Sequence, residues 1–136
     1  MSKIIISLKP QFAKLIEEKI KTHEFRKRVP LNKPSEIWIY VTRPVAELKY
    51  ILKVHDYIEY PQKIKVKGRG NIDFNNGIKP KYAYPIKSLY KLNKPIPLKE
   101  LRASFDFVAP QNFTYIEKYE KLNNYVNLNE ELEKIF

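Results

Sequence analysis

Hydrophobic and polar positions along this chain follow two alternating periods. Residues 4–8, Ile-Ile-Ile-Ser-Leu, form a short apolar run that predicts a buried strand. Pro10 suits the first turn of a helix. Phe12, Leu15, Ile16 and Ile20 then recur at helical spacing, with Lys14, Glu17, Glu18 and Lys21 on the other side, which predicts an amphipathic helix over 10–20. Its N-cap is Lys9, a poor capping residue, which suggests another use for that side chain. Residues 22–28 read as a strand with Thr22, Glu24, Arg26 and Arg28 on one face and His23, Phe25 and Lys27 on the other.

Period two continues after a loop from Val29-Pro30 to Pro34. Residues 36–42 place Ile37, Ile39 and Val41 opposite Trp38, Tyr40 and Thr42. Residues 46–58 place Leu48, Tyr50, Leu52 and Val54 opposite Glu47, Lys49, Lys53 and His55. Residues 82–92 are a further strand, with Tyr82, Tyr84, Ile86 and Tyr90 together. Pro95 and Pro97 bracket a predicted turn, 98–101 a single helical turn, and 105–108 and 113–116 two short strands. Asn127 with Glu130 three residues on resembles a capping box, and Leu128, Leu132, Ile135 and Phe136 form an apolar stripe, so a C-terminal helix is predicted.

Composition narrows the class. One domain with one sizeable core fits 136 residues at 43% hydrophobic content. We expect 1–116 to form the α+β body of the domain, with a helix near the N-terminus, and 117–136 a helical extension of the same domain. No apolar run approaches the roughly 20 residues that span a bilayer, and no signal-peptide pattern opens the chain. There is no cysteine, hence no disulfide framework. A cytoplasmic protein without a membrane association is expected.

Charge changes the picture more. The net charge is +11, distributed as +5 over 1–28, +1 over 29–56, +8 over 57–102 and −3 over 103–136. Two basic blocks suit a polyanionic partner; the competing explanation is a lysine-rich proteome. All three glycines, at 68, 70 and 77, lie in the stretch 63–79, where Lys63, Lys65, Lys67, Arg69 and Lys79 interleave with Phe74. That stretch reads as a flexible arm whose Lys65, Lys67 and Arg69 contact phosphates, or as a mobile solvated insertion. No Gly-Lys-Ser/Thr ends it, so it is not a Walker loop.

Candidate chemistry centres on Lys21-Thr22-His23-Glu24-Phe25-Arg26. Same-face residues two apart put the Glu24 and Arg26 α-carbons roughly 6.5 Å apart. Arginine offers a planar fork to a phosphate or base edge, glutamate accepts from an exocyclic amine, and Lys21 adds a phosphate contact. The alternative is a solvated ion pair worth about 0–1 kcal/mol. Trp38 and Tyr40 share a strand face and could stack a base, or the strand is buried on both sides. His23 and His55 have no partners at metal-ligand spacing, so no metal and no cofactor are expected.

Residues 4–26, with Lys9-Pro10, Lys21, Glu24 and Arg26, resemble the start of an ASCH domain, in which a strand ending in Lys-Pro leads through a helix to a Gly-x-Lys-x-x-Glu-x-Arg element. Lys19 stands at the family glycine. Ile39-Tyr40-Val41-Thr42-Arg43-Pro44 resembles the family's Tyr-x-Ser/Thr-x-Pro. Tyr82-Ala83-Tyr84-Pro85-Ile86 and 109–116 resemble the later strands of ASCH proteins linked to transcriptional regulation. The resemblance implies a PUA-like α+β fold over 1–116, a mixed β-barrel of about five to six strands with a cleft beside the first helix. Lys9, Lys21, Thr22, Glu24, Arg26, Tyr40, Thr42 and Gln111 are its expected ligand-binding residues. One branch resembles acetylcytidine amidohydrolases, which use a lysine and a threonine in this element; Lys21 matches the lysine, but Glu24 occupies the threonine position.

Three readings stay open at this level. The first is a module binding RNA or a modified nucleotide, with DNA as a further ligand. The second is a hydrolase, either a ribonuclease or a modified-nucleoside amidohydrolase, with Lys21 and Glu24 as its catalytic pair. The third is an interaction protein whose C-terminal stripe mediates dimers.

Overall fold

The structure, a computed structural model, describes residues 2–129 and 131–136. The elements run β1 (Ser2–Leu8), α1 (Pro10–Glu17), β2 (His23–Arg26), β3 (Pro34–Val41), β4 (Glu47–Val54), β5 (Ile58–Glu59), α2 (Asn71–Asn75), β6 (Tyr82–Pro97), α3 (Leu98–Phe105), β7 (Thr114–Tyr115), a 3-10 turn (Ile116–Tyr119), α4 (Glu120–Asn129) and β8 (Leu132–Lys134). The strands form a mixed sheet in the order β2-β6-β4-β3-β1-β7, with β5 and β8 also paired to β6. β1 and β3 run parallel, joining Ile4 to Ile37 and Leu8 to Val41. The sheet curls into a half-barrel, which leaves a seam between its end strands β2 and β7. At that seam the Arg26 guanidinium donates to the Asn112 carbonyl, two residues before β7.

Two cores lie on opposite faces of the sheet. Under α1, Ala13 and Ile16 cover Ile4, Ile6, Ile37, Ile39, Leu52 and their neighbours. On the other face, Ile5, Trp38, Tyr40 and Ile51 meet Leu101, Phe107, Ile116, Tyr119, Leu122 and Val126 from the C-terminal third. The strong alternation of β3 therefore reflects burial on both sides. At β4 the alternation fails once: Ile39 faces Tyr50 while Tyr40 faces Leu48, so Lys49 is an extra residue. This bulge sends Leu48 to the second core and Tyr50 to the first, against the expectation that they share a face.

Other boundaries also differ from expectation. Helix α1 stops at Glu17 instead of residue 20 because Lys19 turns to φ 61, and the Ile20 and Lys21 amides return to the Leu15 carbonyl. The left-handed conformation costs an ordinary side chain about 1–2 kcal/mol, which accounts for glycine at this place in the ASCH pattern. Strand β2 covers only 23–26 of the expected 22–28. Strand β6 runs through Pro95 to Pro97, since its pairing with β4 continues at Ile96 and Pro97, opposite Leu48 and Glu47. Residues 105–108 do not form a strand: Asp106 at φ 51 ends α3 and drops Phe107 into the second core.

The tail reverses the expected order. Helix α4 ends at Asn129, where a helix start was expected; Asn127 lies in its last turn and donates to the Asn123 side chain, and Glu130 lies outside the described residues. The stripe is split. Leu128 is exposed, Leu132 sits in β8, and Ile135 and Phe136 pack on the first core.

Candidate functional site

The chain from β1 into α1 forms one wall of a cleft at the seam. Pro10 opens the helix, and the Lys9 carbonyl accepts from the Phe12 and Ala13 amides, while the Lys9 side chain makes no cap and lines the cleft. Ser7, Leu8 and Phe12 complete this wall. The turn at Lys19 then delivers Lys21 and β2 to the floor. The cavity measures about 500 Å³.

The floor carries three charged groups. Glu24 is 1% exposed and Lys21 7% exposed. The Lys21 ammonium donates to Glu24 Oε1 at 2.6 Å, and the Arg26 guanidinium donates to Oε2 at 3.4 Å. Both carboxylate oxygens are thus engaged. The Lys21 ammonium also lies 5.3 Å from the Phe12 ring centroid and 5.9 Å from that of Phe25. Two cations against one anion leave one net positive charge in a poorly solvated floor. A buried charge without full compensation is costly, and the lining adds one further carboxylate, Asp73, beside Lys9, Arg69 and Lys79.

The third wall is the arm. It is pinned to the barrel at several points. The Arg69 amide donates to the Ile20 carbonyl at 2.9 Å. The Asn71 amide group donates to Thr22 Oγ1 at 2.9 Å, and Thr22 in turn lies 2.8 Å from His23 Nδ1. Burial lowers the pKa of His23 from 6.5. Asn75 exchanges two hydrogen bonds with the Ile64 backbone, at 2.7 and 2.8 Å. Phe74 is buried against Phe25, Ile64 and Ala83. Gly70 has φ 84, and a Cβ there would meet the Phe25 ring at 2.9 Å. The arm presents Arg69, Gly70, Asp73, Phe74, Ile78 and Lys79 to the cleft.

Of the residues expected from sequence, Lys9, Lys21, Glu24, Arg26 and Arg69 converge on the cleft. The others do not. Thr22 precedes β2, where strand alternation does not yet set its direction; it faces the arm and accepts from the Asn71 side chain. Tyr40 is 3% exposed and packs 5.5 Å from Phe107 in the second core, where burial raises its pKa. Trp38 is fully buried beside it and donates to Glu36. Thr42 is outside the lining; its backbone joins β3 to Leu8 and to the turn at Val45. Gln111 lines a separate groove with Arg26 and Arg28. Lys65 and Lys67 are exposed on the arm away from the cleft.

Sequence reasoning missed Ser7, Phe12, Asp73, Ile78 and Pro80 in the lining. Phe12 was hidden by its place in the helical apolar stripe. For Asp73 a signal existed: it is the lone acid between residues 60 and 99.

The chain is 32% identical over 142 aligned residues to the ASCH domain-containing ribonuclease of Zymomonas mobilis subsp. mobilis, an alignment covering 95% of this chain and 93% of that protein. Its structure is similar to the crystal structure of ASCH from Zymomonas mobilis, with a TM-score of 0.65 and 30% identity over 90% of this chain and 94% of that one. A serine-to-alanine mutant of the same protein gives a TM-score of 0.66 at 29% identity over 90% of this chain and 95% of that one. No family model matches the chain.

Proposed function

The chain belongs to the ASCH domain family and has its PUA-like α+β half-barrel, and from that premise we propose that it binds single-stranded RNA in the seam cleft and cleaves it there. The observation that carries this reading is the buried Lys21–Glu24–Arg26 cluster, a fixed positive floor at the end of an aromatic-walled cavity. The Zymomonas mobilis relative is named a ribonuclease, which supports RNA cleavage in general terms.

In this reading a phosphodiester lies over Lys21 and Arg26. Attack of the ribose 2′-oxygen on phosphorus forms one P–O bond and breaks the bond to the 5′-oxygen, which takes a proton from water, leaving a cyclic phosphate and a 5′-hydroxyl. The phosphorane oxygens gain negative charge, and prepositioned cations in a water-poor site stabilise that charge without reorganising. Glu24 is a positioning residue, since both of its oxygens hold the cations. Asp73 is the second carboxylate of the lining; it takes the 2′-proton as general base. Phe12 and Phe25 give a nucleobase apolar surface, with Phe74 buried behind Phe25.

A 5′-labelled single-stranded RNA, with a DNA of the same sequence as control, tests this. We expect cleavage of RNA alone, ending in cyclic phosphate, and a loss of about 10²-fold or more in Asp73→Asn. Salt-dependent binding without cleavage would reduce the reading to an RNA-binding module, the form in which a role in transcriptional regulation would operate. An absence of both binding and cleavage would remove it.

A further inference from the structure

Two smaller hollows meet the cleft at Pro80, which lines all three. One is a groove lined by Phe25, Arg26, Lys27, Arg28, Gln111 and Asn112. The other is bounded by Lys27, Lys79 and Lys81. Arg26 is shared by the cleft and the groove, Lys79 by the cleft and the second hollow, and Lys27 by the two outer hollows. The three therefore form one continuous depression across the seam.

Charge in the two outer hollows is of one sign, whereas the cleft between them also holds Glu24 and Asp73. No carboxylate lines either outer hollow, against five cations. Lys81 leans on Glu59 at 3.6 Å. Lys27, Arg28 and Lys79 have no hydrogen-bonding or ion-pairing side-chain partner among the described residues. Gln111 and the Asn112 side chain add neutral polar groups, and the Asn112 carbonyl already accepts from Arg26. Such a row suits a repeating anion better than a single one. Like charges kept together on a surface repel unless a polyanion neutralises them.

We propose that this depression is a phosphate track, and that the ligand is an extended strand of several nucleotides rather than a free nucleotide or nucleoside. Lys27 and Arg28 hold phosphates on the seam side of the occupied cleft, and Lys79 and Lys81 hold those on the arm side. This rests on the cleft reading above and deepens it. The arm lysines 65 and 67, which composition singled out, take no part, because they lie outside the depression.

The test uses 2′-O-methyl oligouridylates, which lack the attacking hydroxyl, as mono-, tri- and hexanucleotides over a range of salt. We expect affinity to rise at least about tenfold from mono- to hexanucleotide at low salt, with a salt slope steeper by about 0.7 for each added phosphate contact. The double variant Lys27→Ala/Arg28→Ala should remove most of that length dependence and about 1.4 from the hexanucleotide slope. Equal affinity at all three lengths, each lost in Lys21→Met, would overturn the track while leaving the cleft reading intact. Competition by polyglutamate as effective as that by the hexanucleotide would overturn the track as well. No binding of any length, or binding insensitive to Lys21→Met, would instead overturn the cleft reading itself.

Discussion

Two groups of aromatic residues occupy opposite regions of this barrel and behave differently. Trp38 and Tyr40 lie on β3 and are sealed by Leu101, Phe107, Tyr119, Leu122 and Val126. Phe12, Phe25 and Phe74 surround a cavity whose floor holds Lys21 and Glu24. Strand alternation flags the first group, while the second is scattered over α1, β2 and α2 and shows no common pattern in the sequence. What separates them is the supply of cover. The C-terminal third sends apolar side chains to the first group. The second receives a short arm anchored by asparagines and glycine, which leaves room beside buried charge. An aromatic pair on a strand thus says little about ligands until the rest of the chain is asked what is left to cover it.

That contrast can be broken in graded ways. Trp38→Ala should give the largest loss of stability, about 3–5 kcal/mol, through lost transfer energy and a cavity; urea unfolding would measure it. A small loss would mean that the second face is not the closed core described. Lys21→Met should cost up to about 3–5 kcal/mol by leaving Glu24 poorly compensated. Adding Glu24→Gln to it should recover part of that stability but none of the RNA cleavage, and a double-mutant cycle would reveal this. Gly70→Ala should cost about 1–3 kcal/mol, through its left-handed backbone and the contact with Phe25, and should weaken RNA binding by displacing the arm.

The smallest expected effect is one of pH. Burial depresses the pKa of His23 from 6.5. The unfolded chain therefore binds this proton first. The stability from a neutral His23 is full above pH 6.5 and is lost as pH falls through the lowered folded value. Urea midpoints at pH 7.5 and pH 5.5 should differ in that direction, and His23→Gln should flatten the difference. An unchanged slope in that variant would assign the pH dependence elsewhere.

Sequence periodicity located β1, α1, β3 and β4 because each buries a face of regular spacing. It lost register at Lys49, since a bulge adds one residue without altering composition. It misplaced the C-terminal helix because Asn127 and Glu130 look like a cap, while the apolar residues that bury the helix, Leu122 and Val126, precede them. Lys21, Glu24 and Arg26 were legible as a constellation since spacing and charge agree. Tyr40 was read as a ligand contact because strand alternation gives a side of the sheet but not what covers it, and Thr22 and Thr42 fall just beyond the ends of β2 and β3, where alternation no longer sets their direction. The arm looked mobile from its glycines and lysines. Its fastening depends on Asn71, Asn75 and Phe74 meeting residues some 10 to 50 positions away, which no local window contains.

The bond from Arg26 to the Asn112 carbonyl has one more consequence. It is a clasp between the two free margins of the curled sheet, made by a side chain that also faces the cavity. An incoming phosphate competes for the same guanidinium. Occupancy would then slacken the stretch between α3 and β7, and amide exchange at residues 106–113 would register a molecule seated on the far side of the clasp.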